Sequence, residues 1–207
     1  MTEDTSQTSS PRRQRNRERT IETILETART IMRENGVAGL SMQELARRSE
    51  MRAPSLYNYF SGLLDIYDRL FRSGFESFHA HVDEYVGDAV TWQEKIRRVM
   101  EAYMTFAMEN PELYQLCFER PVPGFVPSEE SMQVSLGSLE RLYAEMAGLK
   151  EMLKTDLPPQ KIADLVIAIS HGLTAQHMAN EPDVPPGEGR FGSLIPAAIS
   201  VLEKAWS

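Results

Sequence analysis

The stretch Ser41-Met-Gln-Glu-Leu-Ala-Arg-Arg-Ser-Glu-Met-Arg-Ala-Pro-Ser-Leu-Tyr-Asn-Tyr-Phe60 reads as two short helices around a tight turn. Ser41 and Glu44 have capping-box spacing, which satisfies two otherwise unpaired backbone donors at a helix start. Leu45 and Ala46 then point inward. Pro54 falls in the first turn of the following helix, where its missing N–H costs little, and that helix is expected over Ala53 to Phe60. At about 100° per residue, Pro54, Ser55, Tyr57 and Asn58 share one face, and Leu56 and Phe60 the other. Leu56 and Phe60 therefore anchor the helix. The opposite face is left to meet base edges and phosphates, and Asn58 has the chemistry to pair bidentately with adenine. Such an arrangement suits entry into a DNA major groove.

Upstream, Ile21, Ile24, Leu25, Ala28, Ile31 and Met32 follow the i, i+3, i+4, i+7 rhythm of a helix from about Asn16 to Asn35. Asn35-Gly36 ends it, because glycine takes a left-handed cap without a Cβ penalty. Residues 1–14 are Thr/Ser/Gln-rich and then basic, so they are expected to form a disordered arm in the absence of DNA. The chain as a whole carries a net charge of −8, yet the charge is divided unevenly. Residues 1–60 hold 10 Lys/Arg against 8 Asp/Glu, and residues 61–207 hold 12 against 22. Between Pro11 and Arg19, Arg12, Arg13, Arg15, Arg17 and Arg19 face only Glu18. A basic arm ahead of an acidic body suits a protein that meets phosphate at one end, although a solubilising tail has the same composition.

Downstream, helical periodicity alternates with breakers. Helices are expected over Leu63–Val86, Thr91–Asn110, Pro111–Phe118, Glu129–Leu153, Gln160–Asn180 and Gly192–Trp206, with Pro121–Pro127 and Glu181–Arg190 as loops. No strand alternation is evident, so the chain reads as all-α with about nine helices. No apolar run reaches the roughly 20 residues that span a bilayer, and Met1–Ser10 lacks the apolar core of a secretory signal. The single cysteine, Cys117, excludes an internal disulfide and fits a reducing cytoplasm.

Residues 17–66 resemble the TetR family of transcriptional regulators. Ile24 and Ala28, Gly36, Ser41 with Leu45-Ala46, Pro54-Ser55-Leu56-Tyr57 and Tyr59-Phe60 stand in that family's order and spacing. Beyond them the likeness rests on helix order and on short echoes, Asn110-Pro111-Glu112-Leu113 and His171-Gly172-Leu173. The resemblance implies a three-helix helix-turn-helix domain over residues 15–62 and a helical ligand-binding and dimerisation domain over 63–207. It implies DNA contacts from Ser41, Gln43, Arg52, Ala53, Pro54, Ser55, Tyr57, Asn58 and Tyr59, with Gln43 reading a base and Tyr57 and Tyr59 on phosphates. For Ser41, helix capping is an equal alternative. Two positions depart from the family. Glu50 stands where glycine is usual, so a left-handed backbone there would cost on the order of 1 kcal/mol. Leu63 replaces a common lysine near phosphate, a loss that Arg52 or the arginine arm would have to offset.

In the C-terminal part, Met100, Tyr103, Met104, Ala107, Tyr114, Phe118, Met132, Leu136, Met146, His171 and Thr174 are candidates to line a cavity. The methionines and aromatics also fit a plain helical core, and it is the resemblance that implies a site for a small apolar or aromatic effector. Ala168, Gly172, Ala175 and Ala179 form a small-residue stripe; Leu194, Ala198, Val201, Leu202 and Ala205 form an apolar one. Two such helices from each subunit would build an isologous four-helix homodimer interface. No cofactor or metal is expected: His79 and His81, two apart on a helix, diverge. Cys117 with His171 or His177 has no supporting spacing as a nucleophile–base pair. The reading is a ligand-responsive repressor that binds a palindromic operator in double-stranded DNA as a homodimer. A helical adaptor or ligand-binding protein without sequence-specific DNA binding is the alternative.

Overall fold

The computed structural model describes residues 11–206, and among these no strand occurs. Backbone contacts divide the chain into two compact units. The first comprises residues up to Tyr67 together with Pro121–Phe125; the second comprises Asp68–Arg120 and the residues from Val126 onward.

In the first unit, α1 (Pro11–Asn35), α2 (Met42–Arg48), α3 (Ala53–Leu56) and the opening of α4 (Leu63–Val86) enclose a small core. Ile24, Ala28, Ile31 and Met32 of α1 are buried, as are Leu45, Ala46, Leu56, Phe60 and Ile66. Tyr67 closes it, its hydroxyl donating to the Val37 carbonyl at 2.7 Å and its ring 5.8 Å from that of Phe125. Three expectations change here. α1 is already helical at Pro11, the first described residue and upstream of Asn16, so residues 11–14 of the expected arm are helical; the rest of that arm lies outside the described residues. Gln14 bonds Glu18 one turn on, and Arg17 is anchored elsewhere in the unit, which supports these early turns. α3 ends at Leu56 rather than Phe60, continuing only as turns. The Ser41–Glu44 box is half made: Ser41 Oγ accepts from the Glu44 N–H at 3.2 Å, but the Glu44 carboxylate turns to Arg47 and Arg48 instead. Charged donors at i+3 and i+4 outcompete a neutral backbone N–H. Hydrogen bonds from Arg47 and then Arg48 hold the Glu44 carboxyl down to about 2.

In the second unit, α5 (Trp92–Glu109), α7 (Glu129–Leu149), α8 (Pro159–Asn180) and α10 (Ile195–Trp206) share a core of Trp92, Ile96, Met100, Met104, Met146, Ile162, Val166, Ile199 and Trp206. The two indole rings lie 5.8 Å apart. Asp68, just inside α4, receives the Ser128 N–H at 2.6 Å and the Ser131 hydroxyl at 2.8 Å, tying the start of α7 to α4. Burial would raise its carboxyl, but these bonds bring it below the usual range. The expected final helix, Gly192–Trp206, opens three residues later as α10, with Pro196 in its first turn where a missing N–H costs little, and α9 (Gly189–Gly192) begins within the stretch expected to be a loop. The short α6 (Pro111–Tyr114) runs into a π-helical turn, Gln115–Glu119, which ends at Arg120 in left-handed conformation (φ 52°). A Cβ on Gly74 of α4 would stand 2.7 Å from Cys117 Sγ, so helix and turn meet there through a glycine.

Candidate nucleic-acid interface and ligand cavity

α3 is too short to hold itself, since nucleating one helical turn is unfavourable without outside support. Two buried side chains provide that support: Leu56 is 0% and Phe60 1% exposed. Between them the chain turns back, Tyr59 N–H and Phe60 N–H both donating to the Leu56 carbonyl, and Tyr57 is left 58% exposed. Arg52, Ala53, Pro54 and Asn58 are exposed with it, while Ser55 and Tyr59 are half-buried. On α2, Ser41 and Gln43 face solvent. The nine residues expected to meet DNA are therefore all at the surface of one unit.

Sequence reading missed the cation that braces this segment. Arg17 Nη1 donates to the Asn58 carbonyl at 2.8 Å, and its guanidinium lies 5.1 Å from the centroid of the Tyr59 ring. The contact spans 41 residues of sequence, beyond the reach of local pattern. Before α3, Glu50 adopts φ 53°. Met51 N–H bonds the Ala46 carbonyl at 2.9 Å and Glu50 N–H the Arg47 carbonyl at 3.4 Å, a Schellman closure of α2 with glutamate in the glycine position.

The second unit contains a cavity of about 570 Å³ among α4, α5, α7, α8 and the π-turn. Along α4 it runs from Phe75 through Phe78, His79 and Val82 to Val86, about 16 Å at 1.5 Å per residue. One end is aromatic, with Phe75, Phe78, Tyr103 and Phe118 in edge contact. The other is aliphatic, with Ile96, Val99, Leu142, Met146, Val166 and Ile167. Of the expected lining, Tyr103, Phe118, Met146 and His171 are on the wall. Met100, Met104 and Ala107 pack into cores, Thr174 is fully buried, Met132 is half-buried and Leu136 is exposed. Tyr114 sits behind the wall, its hydroxyl 3.3 Å from His171 Nδ1, while that of Tyr103 is 2.9 Å from the same atom. The wall residues of α4 were missed, although Phe75, Phe78, Val82 and Val86 keep a helical spacing that marks an inward face.

The polar groups of the wall are largely matched. Lys95 pairs with Glu145 at 3.3 Å and Arg141 with Asp83. Burial, and then the charge of Arg141, push His79 below its ordinary value. His79 Nε2 and Ser138 Oγ are buried without a hydrogen-bond partner. Burial raises both phenols, Tyr114 to about 12, so they stay protonated donors. Burial also pushes the Cys117 thiol up to about 12, which removes the thiolate that a nucleophile needs.

On α8, Ala168, Gly172 and Ala179 are exposed and Ala175 half-buried, beside exposed Leu165 and Ile167. Leu194, just ahead of α10, is exposed, as are Val201 (66%) and Ala205 on it, and Ala198 is half-buried. Leu202 faces the core at 3% exposure, so it does not belong to this outer face. No helix of the described residues is long and apolar enough to cross a membrane.

Residues 24–70 match the family model described as bacterial regulatory proteins, tetR family, and residues 96–190 match a Tetracyclin repressor-like C-terminal domain. An uncharacterized HTH-type transcriptional regulator of Bacillus subtilis, YobS, is 33% identical over 96 residues, 44% of this chain and 48% of the relative. An HTH-type transcriptional regulator of Mycobacterium tuberculosis is 28% identical over 104 residues, 49% of this chain and 44% of the relative. The match thus spans about half the length of these curated relatives. Among solved structures, a protein of unknown function from Rhodococcus aligns with TM-score 0.76 at 19% identity, covering 99% of both chains. FadR of Bacillus subtilis, in complex with stearoyl-CoA, aligns at 0.68 and 17% identity, covering 87% of this chain and 96% of that one. AibR, in complex with isovaleryl coenzyme A and operator DNA, aligns at 0.66 and 17% identity, covering 88% and 97%. At such identities the structures speak for the fold alone. With both of its characteristic segments matched in order, around a buried Leu56–Phe60 anchor, the chain belongs to the TetR family of transcriptional regulators.

Proposed function

We propose that this protein is a ligand-responsive transcriptional repressor that binds a palindromic DNA operator as a homodimer and is not an enzyme. One observation carries the reading: Leu56 and Phe60 are sealed in the core while Tyr57 and Asn58 face outward from an arginine-braced turn. In each subunit Arg52–Tyr59 meets the major groove, with Gln43 beside it on a base edge and Tyr57 and Tyr59 on phosphates. Exposed apolar side chains on α8 and α10 suit a two-fold interface, and pairing two reading heads matches a two-fold operator.

The effector occupies the cavity in the second unit. Its volume falls within the range of small-molecule sites, roughly 300–1,000 Å³. Its aromatic and aliphatic ends suit an apolar body, and the unpartnered His79 and Ser138 suit a polar group along it. The acyl thioesters held by FadR and AibR have that character. Such a molecule shifts DNA binding only by its different affinity for the two states of the protein. An enzymatic reading would need an activated nucleophile, and the protonated Cys117 thiol argues against one.

Replacing Tyr57 or Asn58 by Ala is expected to abolish protection of a specific operator in footprinting, with the dimer intact by analytical ultracentrifugation. Unchanged footprints in both variants would discard the reading-head assignment and leave the helical adaptor as the better account.

A further inference from the structure

Among the described residues, five charged side chains border the cavity of the second unit: Asp83, Lys95, Arg120, Arg141 and Glu145. Four of them cancel, Lys95 against Glu145 at 3.3 Å and Arg141 against Asp83. Arg120 is left over. Among the described residues its guanidinium has no ion pair, hydrogen bond or ring contact, although residues 61–207 hold 22 Asp/Glu against 12 Lys/Arg. Its neighbour Glu119 supplies no partner either, since that carboxylate accepts from the Tyr114 hydroxyl. An acidic unit therefore leaves one net positive charge at the edge of a largely apolar cavity.

The backbone fixes where this cation stands. Arg120 closes the π-turn Gln115–Glu119 at φ 52° and ψ 52°, left-handed values that strain any residue with a Cβ and that glycine or asparagine meets most easily. Arginine gains nothing from such a backbone, so the side chain is what the position uses. Phe118, two residues earlier, belongs to the aromatic end of the cavity, where it meets the rings of Phe75, Phe78 and Tyr103. Arg120 is both on the cavity wall and exposed, which places it at a mouth. A molecule entering there buries its body while its end stays within reach of the guanidinium. An arginine fork holds a carboxylate or phosphate through two parallel N–H···O bonds, and it has no acceptor to offer an ammonium group.

We propose that Arg120 determines the specificity of the cavity, and that the effector is an anionic amphiphile whose terminal carboxylate or phosphate pairs with its guanidinium. The apolar walls select the body of the molecule, and Arg120 selects the charge of its head. Neutral molecules of the same length enter without that selection, and cationic ones are disfavoured. The proposal deepens the ligand-responsive reading above and rests on it.

The test compares three probes with one tail and different heads: decanoate, decyl phosphate and decanol. Each competes with the neutral fluorophore phenylnaphthylamine for the full-length protein. Arg120→Asn removes the charge with a residue that tolerates the left-handed backbone, and Arg120→Lys keeps the charge. Arg120→Asn is expected to weaken at least one anion by about three- to tenfold, the range for a charge-assisted bond discounted for exposure. Decanol changes by less than about twofold, and Arg120→Lys stays close to the wild type. The anion that loses more identifies the head group as carboxylate or phosphate. The loss shrinks at high salt, because the pair is open to solvent. Equal losses for decanol and both anions, equal losses in the Asn and Lys variants, or no loss for either anion overturn the proposal while the cavity still takes up decanol. If none of the three displaces the fluorophore from the wild type, the effector-cavity reading itself fails, and this inference with it.

Discussion

Glu50 shows most plainly what a single residue contributes here. Its backbone closes α2 in the left-handed region, which costs a residue with a Cβ about 1–2 kcal/mol. Glycine removes that strain but gives the unfolded chain more freedom, worth about 0.4–1 kcal/mol in the opposite direction. Glu50→Gly is therefore expected to stabilise the protein by up to about 1 kcal/mol, a rise of roughly 2–4 °C in Tm measured by thermal unfolding. No loss of dimer is expected, and a lower Tm would mean that the Glu50 side chain holds more than its exposure suggests. The strain was legible only through the family resemblance, which has glycine at this turn where the chain offers glutamate. Arg17 was not legible: nothing within α1 says that a cation there reaches a carbonyl 41 residues on.

At the scale of elements, the short α3 and the π-turn are held by what packs on them. The anchor residues of α3 could be read from sequence because Pro54 fixes the start and the 3.6-residue period then separates Leu56 and Phe60 from Tyr57 and Asn58. The length of α3 could not, since its last turn is decided by burial and by Arg17. The cavity wall was read only in part for a similar reason. Met100, Met104 and Met146 have the same local spacing, yet only Met146 borders open space, and that depends on which helices approach closely. One such approach is that of α4 to the π-turn at Gly74. Gly74→Ala brings a methyl group within 2.7 Å of Cys117 Sγ and is expected to destabilise by about 1–3 kcal/mol. Adding Cys117→Ala removes the sulfur and should recover most of that loss. Equal stability of Gly74→Ala and the wild type in urea unfolding would show that the close approach is not needed.

For the whole molecule, the proposed assembly uses the outer face of α8 and α10. The small-residue and apolar stripes were evident from sequence, but their orientation was not, and Leu202 turns inward to the core it shares with Trp206. A charge at the most exposed apolar position of the outer face, Val201→Asp, is expected to yield a folded monomer near 23.5 kDa in analytical ultracentrifugation. Specific DNA affinity should drop with it, because one subunit reads only half of a two-fold site. A dimer that survives Val201→Asp would place the interface elsewhere. The chain also crosses between the two compact units at three points: within α4 after Tyr67, after Arg120, and after Phe125. Two of these crossings frame the segment whose Phe125 ring lies against Tyr67, and the first of those follows directly on the π-turn that lines the cavity.

Gly74 gives this layout a mechanical meaning. With no side chain between helix and sulfur, α4 and the π-turn mesh like two gear teeth without backlash. Under the proposed ligand-responsive reading, a guest molecule that wedges Phe118 aside is expected to shift the stretch of α4 around Gly74 with it. So close an approach tolerates very few substitutions where the teeth engage.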